Sequence, residues 1–228
     1  MRARLNRHAN TALKLRAKTK PQERKCRTMT RRTLLASFIF SPVASVFSGR
    51  GAFGHIASPG GGPRAGYFPN VVLWTHKNKT VQFYDDLIRG KIVLINFMYA
   101  TCKGLCPRQT ANLMQVQKTL GDRIGRDIFM YSLTLKPEQD TLEVLREYAT
   151  GHGVKPGWLF LTGKPGDIEK LRRKLGFVNS DPVRDGDKSK HIGVILYGNE
   201  ALDRWAACPA LTDASEIARY VLWMQAKD

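Results

Sequence analysis

The stretch KIVLINFMYATCKGLCP, residues 91–107, joins a buried-strand pattern to a pair of cysteines. Its first eight residues are almost continuously apolar, which predicts a strand that is covered on both faces. Cys102 and Cys106 follow at i and i+4, a spacing that puts both thiols on one face of a helix start, and Pro107 suits the first turn of that helix. Two thiols so placed can form a disulfide or hold one soft metal ion.

On either side of this stretch, the apolar pattern alternates between strand and helix periods. Residues 177–190 read as a polar loop, and Glu216 is placed for a capping box at the start of the last helix. The final hairpin is expected to turn at residues 198–200. The predicted strands cover residues 71–74, 81–83, 91–98, 128–133, 158–161, 192–197 and 202–206, and the predicted helices begin at Pro107, Glu138, Pro165 and Asp213.

The order of these elements, β-α-β-α-β-α-β-β-α, with paired cysteines at the end of a central strand, resembles a thioredoxin fold. We therefore predict an α/β protein with a central mixed sheet, flanking helices and an N-terminal β-hairpin. Ligand chemistry in open α/β sheets gathers at the carboxyl ends of strands, which is where Cys102 falls.

The formal net charge of +18 is distributed unevenly along the 228 residues. Residues 1–50 hold 13 lysines and arginines and one acid, whereas residues 51–228 hold 24 and 18. The basic character therefore belongs mostly to an N-terminal extension and not to a binding face. Because the sequence contains no zinc-finger spacing, arginine-rich recognition helix or aromatic RNA-binding motif, we expect no nucleic-acid partner.

The N-terminal extension, residues 1–48, has the pattern of a bacterial export signal. Arg31 and Arg32 precede an uncharged stretch, residues 34–47, that is shorter than the roughly 20 residues needed to span a bilayer. We expect an exported, periplasmic protein that loses this segment. If the segment stays uncleaved, it would anchor the protein and provide the membrane contact.

Two further boundaries follow from composition. Ten of the first 28 residues are Lys or Arg, a composition that also resembles a mitochondrial presequence. The composition changes at Met29, and we therefore expect translation to start at that residue. A mitochondrial inner-membrane location is the less favoured alternative. Residues 49–65 are rich in glycine and proline and predict a flexible linker. Residues 66–228 then form a single domain of common size.

Several stretches of this domain resemble the Sco/SenC family. Residues 99–107, YATCKGLCP, resemble its T-x-C-x-x-x-C-P signature, and residues 132–141, SLTLKPEQDT, are similar to its S-x-x-P-E-x-D-T segment. Residues 158–163, WLFLTG, match its W-x-x-L-T-G strand, and His191 stands where the family has its lone histidine. The resemblance covers about residues 70–225, and several motifs in one order are more specific than any one alone.

The resemblance implies a thioredoxin-like domain that binds copper through Cys102, Cys106 and His191. It also implies service in building the copper centre CuA of cytochrome c oxidase. That service would deliver copper to oxidase subunit II, or to another copper- or thiol-carrying client, or would reduce cysteines there. The ligand set suits both copper states, because Cu(I) prefers thiolates and an imidazole also tolerates Cu(II). Zinc, with water as a fourth ligand, is the alternative metal.

Three lysines depart from the family pattern. Lys103 and Lys190 stand where the family often has an acid, and Lys136 replaces the acid of a third segment. The carboxylate that would orient the imidazole is thus missing, and Asp185 or Asp187 in the adjacent loop is the candidate substitute. Lysines beside the thiols would stabilise a thiolate, which favours nucleophilic attack as well as metal binding.

A second class of function uses the same cysteines without the histidine. In a thiol–disulfide oxidoreductase, Cys102 would attack a disulfide of a partner protein and Cys106 would resolve the intermediate. Copper transfer needs His191, whereas disulfide exchange should survive its loss. A merely structural disulfide is the third interpretation of the cysteine pair in an exported protein.

The remaining candidate residues are interpreted as structural. Cys208 is expected to be a buried or idle thiol, with a role as resolving partner as the alternative, and Cys26 lies in the segment expected to be lost. Residues 170–174, KLRRK, read as a solvated helix face. We expect His55, His76 and His152 at the surface, and Met98, Met114, Met130, Met224, Trp158 and Trp205 in the core.

Overall fold

The computed structural model describes residues 61–225, which form a seven-stranded sheet with flanking helices. The predicted export signal, Met29, Cys26, His55 and the linker up to residue 60 lie outside the described residues. The strands are β1 (Val72–Thr75), β2 (Thr80–Gln82), β3 (Ile92–Met98), β4 (Ile128–Thr134), β5 (Trp158–Gly163), β6 (Val194–Asn199) and β7 (Arg204–Pro209). The helices are α1 (Leu105–Leu120), α2 (Leu142–Gly151), α3 (Pro165–Lys174), α4 (Pro182–Gly186) and α5 (Ala214–Trp223).

The strand order is β2-β1-β5-β4-β3-β6-β7. Strands β3, β4 and β5 are parallel and central, while the β1–β2 and β6–β7 hairpins add antiparallel strands at the two edges. All seven residues of β3 are buried, as its continuous apolar run predicts for a strand covered on both faces. The predicted mixed sheet with an N-terminal hairpin is confirmed.

Helix α1 follows β3 and carries the second cysteine. It begins at Leu105, two residues earlier than predicted, so that Pro107 lies in its first turn. None of the helices within residues 61–225 combines the length and apolar character of a bilayer-spanning segment. The buried residues of α1 are Cys106, Gln109, Thr110, Leu113, Val116, Gln117 and Leu120.

Helix α2 begins at Leu142, four residues after the predicted Glu138. The intervening turn directs the Asp140 carboxylate into the protein, where it is fully buried. The side chain of Thr141 then accepts a hydrogen bond from the Val144 N–H at 3.3 Å and caps the helix. The helix therefore starts after the turn that buries Asp140, and not at Glu138 as the apolar spacing predicted.

The predicted loop over residues 177–190 is wrong in part, because it contains α4 and a short 3₁₀ turn, Lys188–Lys190. Each begins with an aspartate whose side chain accepts a backbone N–H bond: Asp181 caps α4 and Asp187 caps the 3₁₀ turn. These short-range caps give a polar segment local structure that hydrophobic periodicity does not reveal.

The last hairpin turns after Asn199, about two residues later than predicted. Glu200 causes the difference, because its carboxylate is buried and accepts hydrogen bonds from the Tyr84 hydroxyl at 2.6 Å and the Gly90 N–H at 2.8 Å. Asp213 caps the start of α5. The Glu216 carboxylate, which was expected to form a capping box, instead forms an ion pair with Arg219.

Two glycines meet where the segment before β4 crosses the segment before β5. A Cβ atom on Gly157 would lie 2.6 Å from the Cα atom of Gly125, and both residues have positive φ angles, 90° and 87°. Only glycine fits such a backbone contact without displacing main chain. The contact lies at the beginnings of the parallel strands β4 and β5, the end of the sheet opposite to the cysteine-bearing loop.

We expect Gly157→Ala to lower the free energy of unfolding by at least about 2 kcal/mol, because the methyl group meets backbone and the positive φ is strained. Urea unfolding measures this change. Gly166→Ala is the matched control: a Cβ there meets nothing within 4 Å, and the site is in α3, so stability should stay equal or rise slightly. Similar losses in both variants would refute the backbone explanation.

Candidate metal centre

The structure brings together the three side chains that the sequence singled out. The two Sγ atoms of Cys102 and Cys106 and an imidazole nitrogen of His191 lie within 4.8 Å of one another. The Cys106 Sγ is 3.4 Å from the His191 Nε2. Both cysteines are buried free thiols, and His191 is half-buried. Within residues 61–225, this is the one cluster of three such side chains placed to share an ion.

A buried carboxylate holds the loop that leads to Cys102. The Ala100 N–H lies 3.2 Å from both carboxylate oxygens of Asp140, and the Thr134 hydroxyl at the end of β4 donates a hydrogen bond to the same group. The Cys102 N–H then bonds to the Tyr99 carbonyl at 3.2 Å and closes a turn. Asp140 thus ties the end of β4 to the loop after β3, and burial raises its pKa.

The thiol of Cys102 lies just before the start of α1, where Gly104 has no side chain to cap the helix. Burial alone would raise the pKa of this thiol, but hydrogen bonds from the Cys106 thiol and from the N–H groups of Cys106 and Gly104 outweigh it. With a further bond from Tyr99, the net pKa of Cys102 is lowered.

The pKa of Cys106 moves the opposite way. Burial raises it to about 12, and its hydrogen bond to Cys102 adds to the shift. The pair therefore ionises in order, Cys102 first. The sequence pointed to Lys103 and Lys190 as the stabilisers of a thiolate, whereas hydrogen bonds lower the pKa of Cys102, the bond from the Cys106 thiol contributing most.

A backbone carbonyl orients the imidazole of His191. Its Nδ1 lies 3.2 Å from the carbonyl oxygen of Ile192, so an Nδ1–H donor leaves the Nε2 lone pair directed toward Cys106. Burial lowers the pKa of His191, which favours the neutral ring that a metal requires. The backbone at Gly193, two residues after His191, passes close to Leu105, which lies between the two cysteines in the chain. A Cβ atom on Gly193 would clash with the Leu105 side chain, so glycine allows the histidine segment to approach the cysteine segment.

Neither aspartate proposed as the orienting carboxylate contacts the imidazole. Asp187 accepts bonds from the Ser189 N–H and pairs with Lys190 at 3.1 Å. Asp185 receives two N–H bonds of 2.7 Å from the guanidinium of Arg172. The expectation for Asp185 and Asp187 is therefore wrong, since both stabilise the loop before His191 and not its ring.

Arg172 anchors that loop from the outside of the sheet. Its side chain is only 5% exposed, and besides Asp185 it binds Glu169 at 2.8 Å and the Phe177 carbonyl at 2.7 Å. The expected solvated face over residues 170–174 is thus wrong at this position. Arg172 follows Ile168 by four residues, a spacing that marks it as part of the buried face of α3.

The structure places the other candidate residues with some differences from expectation. His76 is buried, not at the surface, and its Nδ1 accepts a hydrogen bond from the Phe160 N–H at 3.1 Å. His152, also expected at the surface, is half-buried beside Tyr148, whereas Cys208 is buried in β7 as expected. Met114 and Trp205 are partly buried against the core. Sequence reasoning missed one contact at the site, the Lys136 ammonium 4.2 Å from the Tyr99 ring centre.

The three donors fit a soft metal ion. Thiolates and imidazole are preferred by copper and zinc, whereas magnesium and calcium require oxygen ligands. Metal–sulfur bonds are about 2.3 Å, so two sulfurs on opposite sides of one ion lie about 4.6 Å apart. Atoms within 4.8 Å of one another therefore need little movement to share an ion of low coordination number.

Comparison with known proteins gives one consistent result. The model of the SCO1/SenC family matches residues 72–221. A SCO1 homologue of Bacillus subtilis is 30% identical over 91 residues, which cover 39% of this chain and 47% of that protein. A SCO2-like protein of Rickettsia prowazekii is 31% identical over 103 residues, which cover 43% and 49%. The chain spans about half the length of these curated relatives.

Solved structures show the same fold. Copper-bound ScoI of Bradyrhizobium japonicum aligns with a TM-score of 0.55 and 22% identity, covering 68% of this chain and 96% of that one. A SCO1/SenC family lipoprotein of Bacillus anthracis gives 0.57 and 19%, covering 69% and 94%. BsSco, a Sco-family oxidase assembly protein with a disulfide switch, gives 0.56 and 21%, covering 68% and 90%. The predicted thioredoxin-like α/β fold is confirmed.

We expect Arg172→Met to lower the free energy of unfolding at neutral pH by about 3 kcal/mol, because it leaves two carboxylates without their buried partner. The arginine holds the pKa of Glu169 at about 2 and that of Asp185 well below its usual range. Because these pKa values are lowered on folding, the two carboxylates stabilise the protein at pH values above about 4, the pKa of such groups in the unfolded chain. This contribution is lost as the pH falls toward 2. The difference between wild type and variant should therefore shrink over that window.

Urea unfolding at a series of pH values measures this difference. Arg173→Met is the matched control, because Arg173 contacts the same two carboxylates but its side chain is 63% exposed. Its loss should cost less than about 1 kcal/mol. Equal effects of the two substitutions would contradict the buried anchor.

Proposed function

The chain belongs to the SCO1/SenC family, and from that premise we propose that it binds one copper ion through Cys102, Cys106 and His191 and passes it to a client protein. The observation that carries the proposal is the meeting of two thiols and one imidazole nitrogen within 4.8 Å after β3. The copper-bound ScoI of Bradyrhizobium japonicum, which shares the fold, supports copper over zinc as the cargo.

Each side chain has a defined task in taking up copper. Cys102, with its lowered pKa, supplies the first thiolate. Cys106 has a pKa of about 12 and must release its proton when it becomes a ligand, so uptake is coupled to proton release. The neutral ring of His191, held by the Ile192 carbonyl, offers Nε2 as third donor. Cu(I) suits the two thiolates, and the imidazole allows Cu(II) as well.

The client we propose is the CuA-bearing subunit II of cytochrome c oxidase, or another copper- or thiol-carrying protein. Support comes from BsSco, a member of a family of cytochrome c oxidase assembly proteins. We also propose residues 1–48 as an export signal, 49–65 as linker and 66–228 as the functional domain, located in the periplasm or anchored there. The twin arginine and the related Bacillus anthracis lipoprotein favour an exported location.

A second function, thiol–disulfide exchange with the client, is favoured by the unequal pKa values of the two cysteines. The Cys102 thiolate attacks one sulfur of the client's disulfide, forming a mixed disulfide and releasing one client thiolate. Cys106 then loses its proton and attacks the Cys102 sulfur, which releases the second client thiolate. Both client thiolates take up protons, so the client disulfide is reduced to two thiols while the Cys102–Cys106 pair becomes a disulfide.

Copper binding by the reduced protein tests the first function. We expect wild type to retain one copper per chain in equilibrium dialysis against Cu(I), because all three donors are placed to share it. Cys102→Ser should lose tight binding, and His191→Ala should bind at least about tenfold more weakly. His152→Ala, a change at a half-buried histidine outside the cluster, should match wild type.

Retention of copper by Cys102→Ser, or none by wild type, would rule out this function. If wild type retains no copper but still reduces a protein disulfide, the activity is that of a thiol–disulfide oxidoreductase.

Alkylation rates of the two thiols test their unequal ionisation. Because only the thiolate reacts, the iodoacetamide rate at Cys102 should reach half its maximum below pH 9.0, the ordinary value for a cysteine. Cys106 should remain unmodified until the pH approaches 12. Mass spectrometry of the peptide that contains both residues distinguishes the two products. Equal rates across the pH range would contradict the order of ionisation.

A further inference from the structure

Positively charged residues follow Cys102 in the chain and stand on the neighbouring turn after β4. Lys103, the next residue, is exposed, and Arg108 is exposed in the first turn of α1. The Lys136 ammonium lies 4.2 Å from the ring centre of Tyr99, whose carbonyl accepts a hydrogen bond from the Cys102 N–H at 3.2 Å. Cations therefore stand on the residues that follow the reactive cysteine and on the neighbouring turn after β4.

A fourth cation lies on the histidine side of the site. Lys190 directly precedes His191, and its side chain is 63% exposed. Lysine and arginine are cations at neutral pH, so positive charge accompanies both the cysteine segment and the histidine segment of the site. We name these four residues the basic rim: Lys103, Arg108, Lys136 and Lys190.

Few acids offset the basic rim. The whole of α1 contains no aspartate or glutamate. Asp140 is fully buried beneath the loop, Asp187 is engaged by Lys190, and Glu138 is an exposed acid on the turn before α2. Within residues 61–225, three members of the basic rim form no ion pair: Lys103, Arg108 and Lys136.

We infer that the client presents an acidic segment beside the atoms that meet Cys102. The inference rests on the proposed function, which makes the client a protein that reacts through copper or sulfur. Unpaired cations around a reactive centre attract a segment of opposite charge and raise its rate of encounter. Nucleic acids and anionic lipids also carry negative charge, but neither offers a cysteine to the thiols at the centre of the basic rim.

Three short peptides test this inference on the full-length reduced protein. Each has a central cysteine activated as a 2-pyridyl disulfide and flanked by glutamates, glutamines or lysines. The Cys102 thiolate attacks the peptide sulfur, a new disulfide joins protein to peptide, and the broken bond releases pyridine-2-thiolate, which takes up a proton and is followed by its absorbance. The exchange needs no metal, so failure of copper binding and failure of this inference give separate results.

We expect the glutamate peptide to react at least about tenfold faster than the glutamine peptide at low ionic strength, and the lysine peptide to be slowest. The double variant Lys103→Glu, Lys136→Glu should lose this preference, measured as the ratio of its rates with the glutamate and glutamine peptides, because a change in the reactivity of the Cys102 thiolate alters both rates by the same factor. Salt at about 1 M should also remove the preference, because the screening length is then about 3 Å. The rate measured with Cys102→Ser gives the contribution of other thiols and is subtracted.

The matched control reverses two exposed lysines outside the basic rim, Lys118→Glu and Lys155→Glu, and so has the same net charge as the first double variant. It should keep the preference for the glutamate peptide. Equal rates for the glutamate and glutamine peptides, equal loss in both double variants, or no reaction of Cys102 with any peptide would overturn the inference. Protection of Cys102 by phosphatidylserine vesicles without a peptide preference would assign the basic rim to a membrane and also overturn it.

Discussion

The buried carboxylate of Asp140 is the contact on which the geometry of the thiols depends. It accepts from Ala100, two residues before Cys102, and from the Thr134 hydroxyl at the end of the neighbouring parallel strand. A loop of six residues between β3 and α1 would otherwise be free to move, since loops have few internal hydrogen bonds. The carboxylate instead joins the loop to the end of β4 by hydrogen bonds. It also explains why α2 starts late, since the turn that brings Asp140 inward occupies the residues before the helix.

The two parts of the site are held in different ways. The cysteines lie at a junction between a central strand and the start of a helix, where backbone hydrogen bonds and packing fix both ends. His191 comes from a polar segment that is fixed by the Arg172 anchor and by aspartate caps. The Arg172–Asp185 pair is buried, so each of its contacts is costly to break. The position of the imidazole therefore depends on a few polar contacts, whereas that of the cysteines depends on many backbone bonds.

The fold could be predicted from the sequence wherever apolar spacing determines structure. The continuous apolar run of β3 and the alternation of strands and helices follow from patterns that a single sequence displays, whereas the place of His191 beside the cysteines was implied by the family resemblance. Residues that act through polar side chains were misplaced: Asp185 was expected at the imidazole and binds Arg172, and His76 was expected in solvent and is buried. Their partners are distant along the chain, and no periodicity indicates which carboxylate will meet which cation. The helix α4 and the 3₁₀ turn were not predicted for a related reason, because short polar segments have no apolar stripe that would indicate a helix.

The start of α1 links chemistry to shape, because hydrogen bonds from the N–H groups of Cys106 and Gly104 are among the causes that lower the pKa of Cys102. Gly104 has no side chain that could cap the helix. N–H groups at a helix start favour a negative charge beside them, and a thiolate at Cys102 supplies that charge. The interaction that favours the thiolate therefore also stabilises the first turn of the helix.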